Sequence, residues 1–262
     1  MMPLRTTLIQ SELHWENVAA NLAHFEELIW ELPSTDLIIL PEMFSTGFSM
    51  NPELLSEAVH TRTFRWMRQI SEQKNTVLMG SYIVRDQGNF FNRLYAVYPD
   101  GSSHFYDKKH LFGLAGEQEH YTSGSQKLII EIKGWRICPM ICYDLRFPIW
   151  SRSRASFDQL YEYDLLVYVA SWPKPRINAW DTLLAARAIE NQSYAIGVNR
   201  LGTDGNALEY CGHSAVYDFL GKNQLDLGET AGIHTAILDK QSLMLFREEY
   251  PFQKDSDSFE LP

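Results

Sequence analysis

One stretch of this chain indicates its fold most directly: Trp135-Arg136-Ile137-Cys138-Pro139-Met140-Ile141-Cys142-Tyr143-Asp144-Leu145-Arg146-Phe147-Pro148. Its first seven residues are mostly apolar and follow Gly134, so they predict a buried strand that ends at Ile141. Cys142 then lies at the C-terminal end of a strand, where α/β sheets expose catalytic side chains. A thiol is a useful nucleophile only where a cationic or basic neighbour lowers its pKa. The partners of Cys142 must therefore come from elsewhere in the chain.

Two other segments offer those partners. Glu42 follows Pro41 at the end of an apolar run, where desolvation raises a carboxyl pKa toward the working range of a general base. Lys108 and Lys109 are adjacent, and in an extended strand they point to opposite faces, so one can point inward. The alternative for Glu42, Lys108 and Lys109 is that each is an ordinary solvated charge. The sequence predicts that Glu42, Lys108 and Cys142 form an acid/base, cation and nucleophile set.

The cysteine count favours free thiols. A core position is the common alternative for any strand cysteine, and we assign it to Cys138 in mid-strand and to Cys211. The alternative for Cys211 is that it forms a Cys/His pair with His213. No second Cys or His pair at zinc-ligand spacing accompanies Cys138 and Cys142, so we expect no metal and no cofactor.

The hydrophobic pattern predicts an α/β fold in which two sheets pack face to face with helices outside. The pattern predicts strands at 4–10, 36–40, 76–84, 90–98, 104–108, 128–132, 135–141, 165–170, 194–199, 213–219 and 234–238. Helices are predicted at 15–32, 63–74, 148–159, 180–191 and 240–249.

Composition narrows the possible partners. The chain has 262 residues, of which 45% are hydrophobic and 21% charged, and we expect residues 1–262 to form one domain. The formal charge of −10, without a basic cluster, argues against nucleic acid or an anionic membrane as the main partner. No signal-peptide pattern or membrane-span pattern is present, and together with free thiols this predicts a cytoplasmic protein.

Five motifs, in this order, resemble those of the nitrilase (carbon–nitrogen hydrolase) superfamily. The resemblance covers residues 4–238, with 239–262 as a C-terminal extension, and it implies an α-β-β-α sandwich that associates into a homodimer or higher homo-oligomer. The motifs are Pro41-Glu42, Tyr106-x-Lys108-x-His110-Leu111-Phe112, Ile141 to Pro148, Arg187-Ala188-Ile189-Glu190-Asn191 and Gly212-His213-Ser214.

Three further runs are similar to the bacterial omega-amidases within that superfamily. They are Met43-Phe44-x-Thr46-Gly47-Phe48, Ala115-Gly116-Glu117-x-Glu119-His120-Tyr121 and Ala170-Ser171-Trp172-Pro173. This resemblance implies hydrolysis of the terminal amide of α-ketoglutaramate or α-ketosuccinamate. Another nitrilase-type amidase, acting on deaminated glutathione or a carbamoyl group, is the first alternative. A non-catalytic small-molecule binding protein is the second.

The resemblance also implies roles for the catalytic residues. Glu42 matches the family's base, Lys108 its lysine, Cys142 its nucleophile and Glu117 its second glutamate, with Glu119 as a rival for the last. The backbone N–H of Tyr143 is expected to help Lys108 stabilise the tetrahedral oxyanion. Asp144 and Arg146 match positions behind the nucleophile, to which we assign a structural role.

A carboxylate-bearing substrate needs a local cation in so acidic a chain. Arg176 follows the predicted strand 165–170 on a loop, and a guanidinium binds a carboxylate bidentately. We therefore predict that Arg176 anchors the substrate carboxylate, while Trp172 and Phe48 enclose the short aliphatic part. A solvated loop position for Arg176, and Arg146 as the anchor, are the alternatives.

Overall fold

Buried strands, most of them covered on both faces, form the two central layers of the protein. The computed structural model describes residues 2–155, 159–257 and 259. The first sheet has seven strands, in the spatial order β15-β1-β2-β4-β5-β6, with β3 paired to one part of β4. They are β1 (Leu4–Gln10), β2 (Leu37–Ile39), β3 (Glu57–Ala58), β4 (Val77–Asp86), β5 (Asn89–Val97), β6 (Ser103–Asp107) and β15 (Gly232–Leu238).

The second sheet has six strands, in the order β14-β13-β10-β9-β8-β7, and its central strands β8, β9 and β10 run parallel. They are β7 (Ile130–Ile132), β8 (Trp135–Ile141), β9 (Leu165–Ala170), β10 (Tyr194–Asn199), β13 (Ala215–Tyr217) and β14 (Asn223–Asp226). A separate antiparallel pair, β11 (Leu201–Thr203) and β12 (Glu209–Cys211), follows β10.

The helices begin at capping residues where the sequence provides them. The Asn17 side chain accepts the Ala20 N–H ahead of α1, and the Asp239 carboxylate caps α7. The helices are α1 (Val18–Trp30), α2 (Pro52–Leu55), α3 (Arg62–Lys74), α4 (Glu117–His120), α5 (Pro148–Ser151), α6 (Ile177–Asn191) and α7 (Lys240–Glu249). Among the described residues, none of these helices is long and apolar enough to cross a membrane.

Alternation along the strands divides the apolar side chains between two cores. In β2, Leu37 and Ile39 join the core between the two sheets, whereas Ile38 joins the core under α1 and α3. Val77 and Met79 of β4 likewise face the second sheet, and Leu78 faces the helices. The first sheet is therefore covered by helices on one face and by the second sheet on the other.

Helices α6 and α7 cover the outer face of the second sheet. Gly197 in β10 allows α6 to approach closely, because a Cβ at this position would collide with Leu184 and Trp180. Asp164 anchors α7, since its carboxylate binds Arg247 at 2.8 Å and Lys240 at 2.9 Å. The layers are thus helices, sheet, sheet, helices, which confirms the α-β-β-α sandwich predicted from sequence.

One predicted helix is wrong over part of its length. The prediction placed a helix at 148–159, but α5 ends at Ser151 and residues 152–155 are not helical; residues 156–158 lie outside the described part. Here tertiary hydrogen bonds replace helical ones: the Ser153 N–H donates to Asn191 Oδ1 at 2.9 Å. The short elements α2, α4, β3, β11, β12 and β14 were not predicted.

Candidate active site

Strand ends bring the predicted functional side chains together. Glu42 follows β2 and Lys108 follows β6, both in the first sheet, whereas Cys142 follows β8 in the second. Glu117 is the first residue of the short helix α4. The site therefore lies where the carboxyl ends of strands from both sheets meet.

A lysine between two carboxylates forms the centre of the site. The Nζ of Lys108 donates to Glu42 Oε1 at 2.8 Å and to Glu117 Oε2 at 2.9 Å, and all three side chains are inaccessible to solvent. Glu117 also accepts the Phe112 backbone N–H. Two buried carboxylates and one ammonium leave a net negative charge beside the thiol of Cys142.

Two residues without a predicted role complete the environment of Glu42. The Asn92 side chain donates from Nδ2 to Glu42 Oε1 at 2.8 Å, and the Ser171 backbone N–H donates to Glu42 Oε2 at 2.8 Å. Both carboxylate oxygens of Glu42 are therefore held in place. Asn92 is fully buried in β5, and a polar residue at a core position is the sequence signal that could have identified it.

Burial and neighbouring charges shift the pKa values of Lys108, Glu117 and Cys142. Burial alone would lower the pKa of Lys108, but Glu117 and then Glu42 outweigh it, and the pKa of the ammonium is raised. Burial raises the pKa of Glu117, the charge of Glu42 raises it further, and Lys108 partly offsets both. Burial, followed by the charge of Glu42, raises the pKa of the Cys142 thiol, against a lowering effect of Lys108. Cys142 is thus a neutral thiol at rest, next to Glu42.

The backbone at Cys142 forms a sharp turn. Its φ is 44°, in the left-handed region that disfavours residues other than glycine, and it directly joins β8 to a 3-10 turn over Cys142–Arg146. The turn directs the thiol into a cavity. Arg187 supports it from α6, because its Nη2 donates to the Leu145 carbonyl oxygen at 2.6 Å.

Asp144 fixes this turn to the segment that carries the lysine. Its Oδ2 accepts the Ile141 N–H at 3.0 Å and the Tyr106 hydroxyl at 2.7 Å, and its Oδ1 accepts the His110 N–H at 3.0 Å. Tyr106 and His110 flank Lys108 in the chain. One buried carboxylate therefore ties the strand that precedes Cys142 to the strand that precedes Lys108, across the two sheets.

A cavity of about 420 Å³ opens at the Cys142 thiol, a size suited to a small molecule. Aromatic rings form much of its wall, including those of Phe48, Phe112, Tyr143, Trp172 and Tyr210. The other lining residues are Met50, Lys108, Ala115, Cys142, Arg146, Ser171, Pro173, Arg176, Asp204, Asn206 and Leu208.

Two guanidinium groups line this cavity. Arg176 lies over the ring of Phe112 at 5.2 Å, and Arg146 lies over the ring of Trp172 at 4.8 Å. Among the described residues, no carboxylate lies within salt-bridge distance of either. The sequence predicted a structural role for Arg146, but among the described residues this side chain forms no ion pair with a carboxylate, and it lines the cavity. Both arginines are available to a ligand anion.

Asp204 is the one acidic residue among the described residues that line the cavity, and its carboxylate already has hydrogen-bond donors. Its carboxylate accepts the Tyr210 hydroxyl at 2.9 Å and the backbone N–H groups of Asn206 and Leu208. The polar character of the cavity is therefore set by its arginines.

The other lysine, glutamate and cysteines named in the sequence analysis do not join this cluster. Lys109 is turned away from Lys108, with its Nζ 5.3 Å from the ring of Trp150. Glu119 is exposed, whereas Glu117 is fully buried at the lysine. Cys138 is fully buried in the hydrophobic core, and Cys211 is not among the residues that line the cavity.

Comparisons with known proteins agree with this arrangement. A model of the carbon–nitrogen hydrolase family matches residues 5–248. Omega-amidase YafV of Escherichia coli K12 is 42% identical over 266 aligned positions and is covered completely, as is this chain. The 2-oxoglutaramate amidase of Bacillus subtilis is 30% identical over 94% of this chain and 95% of its own.

A solved structure extends the similarity to the whole fold. The crystal structure of a CN-hydrolase superfamily protein from Xanthomonas campestris superimposes with a TM-score of 0.97, at 40% identity and complete coverage of both chains. Sequence, fold and the strand-end cluster all agree, and this chain belongs to the carbon–nitrogen hydrolase family, the nitrilase superfamily.

Proposed function

We propose that this protein is an omega-amidase, which hydrolyses the terminal amide of α-ketoglutaramate or α-ketosuccinamate to the dicarboxylate and ammonia. The observation that carries the proposal is a buried Glu42–Lys108–Glu117 cluster at a thiol, in a cavity lined by two guanidiniums that pair with no carboxylate of the described residues. The names of the relatives, omega-amidase and 2-oxoglutaramate amidase, support the choice of substrate.

The first half-reaction forms a thioester at Cys142. Sulfur attacks the amide carbon while Glu42 takes the thiol proton, and the carbonyl oxygen becomes an oxyanion. The ammonium of Lys108 and the N–H of Tyr143 stabilise that oxyanion, and each such donor is typically worth about 2.7–4 kcal/mol. Collapse of the intermediate breaks the C–N bond, Glu42 returns the proton to nitrogen, and ammonia leaves.

The second half-reaction hydrolyses the thioester. Glu42 takes a proton from the attacking water, and the new tetrahedral intermediate expels the Cys142 sulfur, which regains its proton. Glu117 positions this water and is itself held by Lys108 and the Phe112 N–H. Because the pKa of the Cys142 thiol is raised, Glu42 must take its proton for the sulfur to act as a nucleophile.

The cavity offers a place for the substrate carboxylate. We propose that Arg176 binds it, with Arg146 as the neighbouring cation, while Trp172 and Phe48 enclose the methylene groups. Trp172 is fixed for this purpose: its indole N–H donates to the Arg176 carbonyl oxygen at 2.8 Å and its backbone N–H to Asn199 at 2.7 Å. The two cations offset the −10 charge of the chain locally.

Ammonia release across a small panel of amides tests the proposal. We expect turnover of α-ketoglutaramate and α-ketosuccinamate and little or none of deaminated glutathione or N-carbamoyl amino acids. Preference for a carbamoyl substrate would identify another nitrilase-type amidase. Mass-spectrometric detection of an acyl adduct on Cys142 separates an enzyme from a binding protein, and failure to trap it with any turned-over amide would contradict the thioester.

We also propose that the protein acts in the cytoplasm as a homodimer or higher homo-oligomer built from one domain per chain. Two exposed apolar side chains support an interface, namely Ile149 in α5 and Phe252 after α7, at 60% and 61% exposure. Light scattering on the purified protein measures the assembly directly, and a monomeric mass at working concentration would contradict it.

A further inference from the structure

A second cluster of reactive side chains lies outside the cavity. The ligand atoms of Cys211, His213 and Glu229 all lie within 4.8 Å of one another. None of the three lines the cavity described above. Cys211 is buried, His213 is half-buried and Glu229 is exposed, so the cluster faces solvent on one side.

Backbone hydrogen bonds hold the two segments of this cluster together. The His213 N–H donates to the Gly228 carbonyl oxygen at 2.9 Å. The Gln10 side chain donates to the carbonyl oxygens of Gly228 and Thr230, both at 2.8 Å. The turn is thus fixed on both sides of Glu229, next to the end of β12 that carries Cys211, and the set is present before any ligand arrives.

A fourth residue orients the imidazole. The Nδ1 of His213 lies 3.1 Å and 3.2 Å from the two carboxylate oxygens of Asp181 in α6. A carboxylate at one ring nitrogen of a histidine fixes the tautomer and directs the other nitrogen toward a metal. Nε2 of His213 is therefore the ring nitrogen left for coordination.

We propose that Cys211, His213 and Glu229 form a site for Zn²⁺, with Asp181 as the positioning residue behind the histidine. Sulfur, nitrogen and oxygen ligands in one set suit this borderline-soft ion, and three protein ligands leave a fourth position for water. Binding releases the Cys211 thiol proton to solvent, and the resulting thiolate and the Glu229 carboxylate balance the charge of the ion. The ligand atoms already lie within 4.8 Å of one another and reach coordination distance by small side-chain movements.

The site adjoins the wall of the active-site cavity. Cys211 follows Tyr210, whose ring lines the cavity and whose hydroxyl binds Asp204. A bound ion would connect this wall to the turn at Glu229 and to α6, and so hold the β11–β12 pair against the second sheet. The inference does not depend on the proposed substrate, because it is tested by binding alone.

Cobalt substitution tests the site by spectroscopy. Full-length Cys142→Ala protein, freed of metal by a chelator, is titrated with Co²⁺, so that the cavity thiol does not contribute. We expect one Co²⁺ per chain, a thiolate-to-cobalt charge-transfer band, and loss of that band when Zn²⁺ is added. Cys211→Ala in this background abolishes the band, whereas the matched Cys138→Ala keeps it, because Cys138 lies in the core.

Two further variants probe the remaining residues. Glu229→Gln changes an exposed side chain and lowers the affinity for Co²⁺, and Asp181→Asn lowers it by about 10- to 100-fold, the usual effect of losing such an orienting carboxylate. Circular dichroism checks that each variant is folded. Absence of the band in the Cys142→Ala protein, its persistence in Cys211→Ala, or unchanged affinity in Glu229→Gln would overturn the proposal.

Discussion

Replacement of Lys108 by methionine removes the cation from between Glu42 and Glu117. The methionine fills a similar volume but donates no hydrogen bond, so two fully buried carboxylates lose their shared partner. Removing one member of a buried ion pair typically costs about 3–5 kcal/mol of folding free energy, because the remaining charge stays desolvated. Loss of one oxyanion donor lowers kcat by about 10²- to 10³-fold. We expect both effects in this variant.

The stability loss in Lys108→Met depends on pH, and its sign follows from Glu117. Burial and then Glu42 already raise the pKa of Glu117 above its ordinary value of 4.5, and losing Lys108 raises it further. The folded state then binds more protons than the unfolded state above pH 4.5, so folding free energy is lost as pH rises through this range. Urea unfolding should show a larger defect at about pH 8 than at about pH 5.

Matched variants separate charge from packing in this test. Lys109→Met alters the adjacent lysine, which only lies over Trp150, so it should cost about 0.5–1 kcal/mol and leave kcat nearly unchanged. The double variant Lys108→Met/Glu117→Gln should regain stability, because one unpaired carboxylate is gone, but not activity. Ammonia release from α-ketoglutaramate measures turnover. Near-normal kcat in Lys108→Met, or an equal loss in Lys109→Met, would refute the assignment.

Three other predictions concern single residues of the candidate site. Cys142→Ala should abolish turnover and leave folding intact, whereas Cys138→Ala retains most activity. Because the pKa of the Cys142 thiol is raised, its alkylation in the resting protein should increase as pH rises past 9.0. Glu117→Gln should lower kcat strongly and Glu119→Gln only mildly, and the reverse order would move the second glutamate. Arg176→Met should raise KM for α-ketoglutaramate while hydrolysis of a neutral amide of similar length is little changed; equal effects on both would transfer the anchor to another residue.

Much of the fold was readable from sequence because buried parallel strands are nearly continuous apolar runs. The predicted bounds of β8, β9, β10 and α7 equal the observed ones, since Gly, Asn or Asp residues punctuate those segments. Helix α5 was predicted too long because a hydrogen bond to a residue distant in sequence, from the Ser153 N–H to Asn191, helps to set its end. Periodicity carries no information about such contacts.

The site was predictable where its residues end strands in recognisable motifs. Asn92 and the Ser171 N–H were missed because their contact with Glu42 depends on how two sheets are placed against each other. The sequence also does not reveal that Arg146 lines the cavity without an ion pair. Only the packed structure shows that no carboxylate among the described residues reaches it. The juxtaposition of Glu229 with Cys211 likewise follows from a turn held by Gln10, which spacing in the chain does not reveal.

The division of the reacting groups between two sheets has a consequence for how the protein gains activity during folding. Glu42 and Lys108 belong to one sheet and Cys142 to the other, so neither sheet alone holds a competent set. Secondary structure can form in each sheet before the interface between them is packed. In a refolding time course, ammonia release should therefore lag behind the recovery of far-ultraviolet circular dichroism. Enzymatic turnover becomes a sensitive reporter of whether the two sheets have docked.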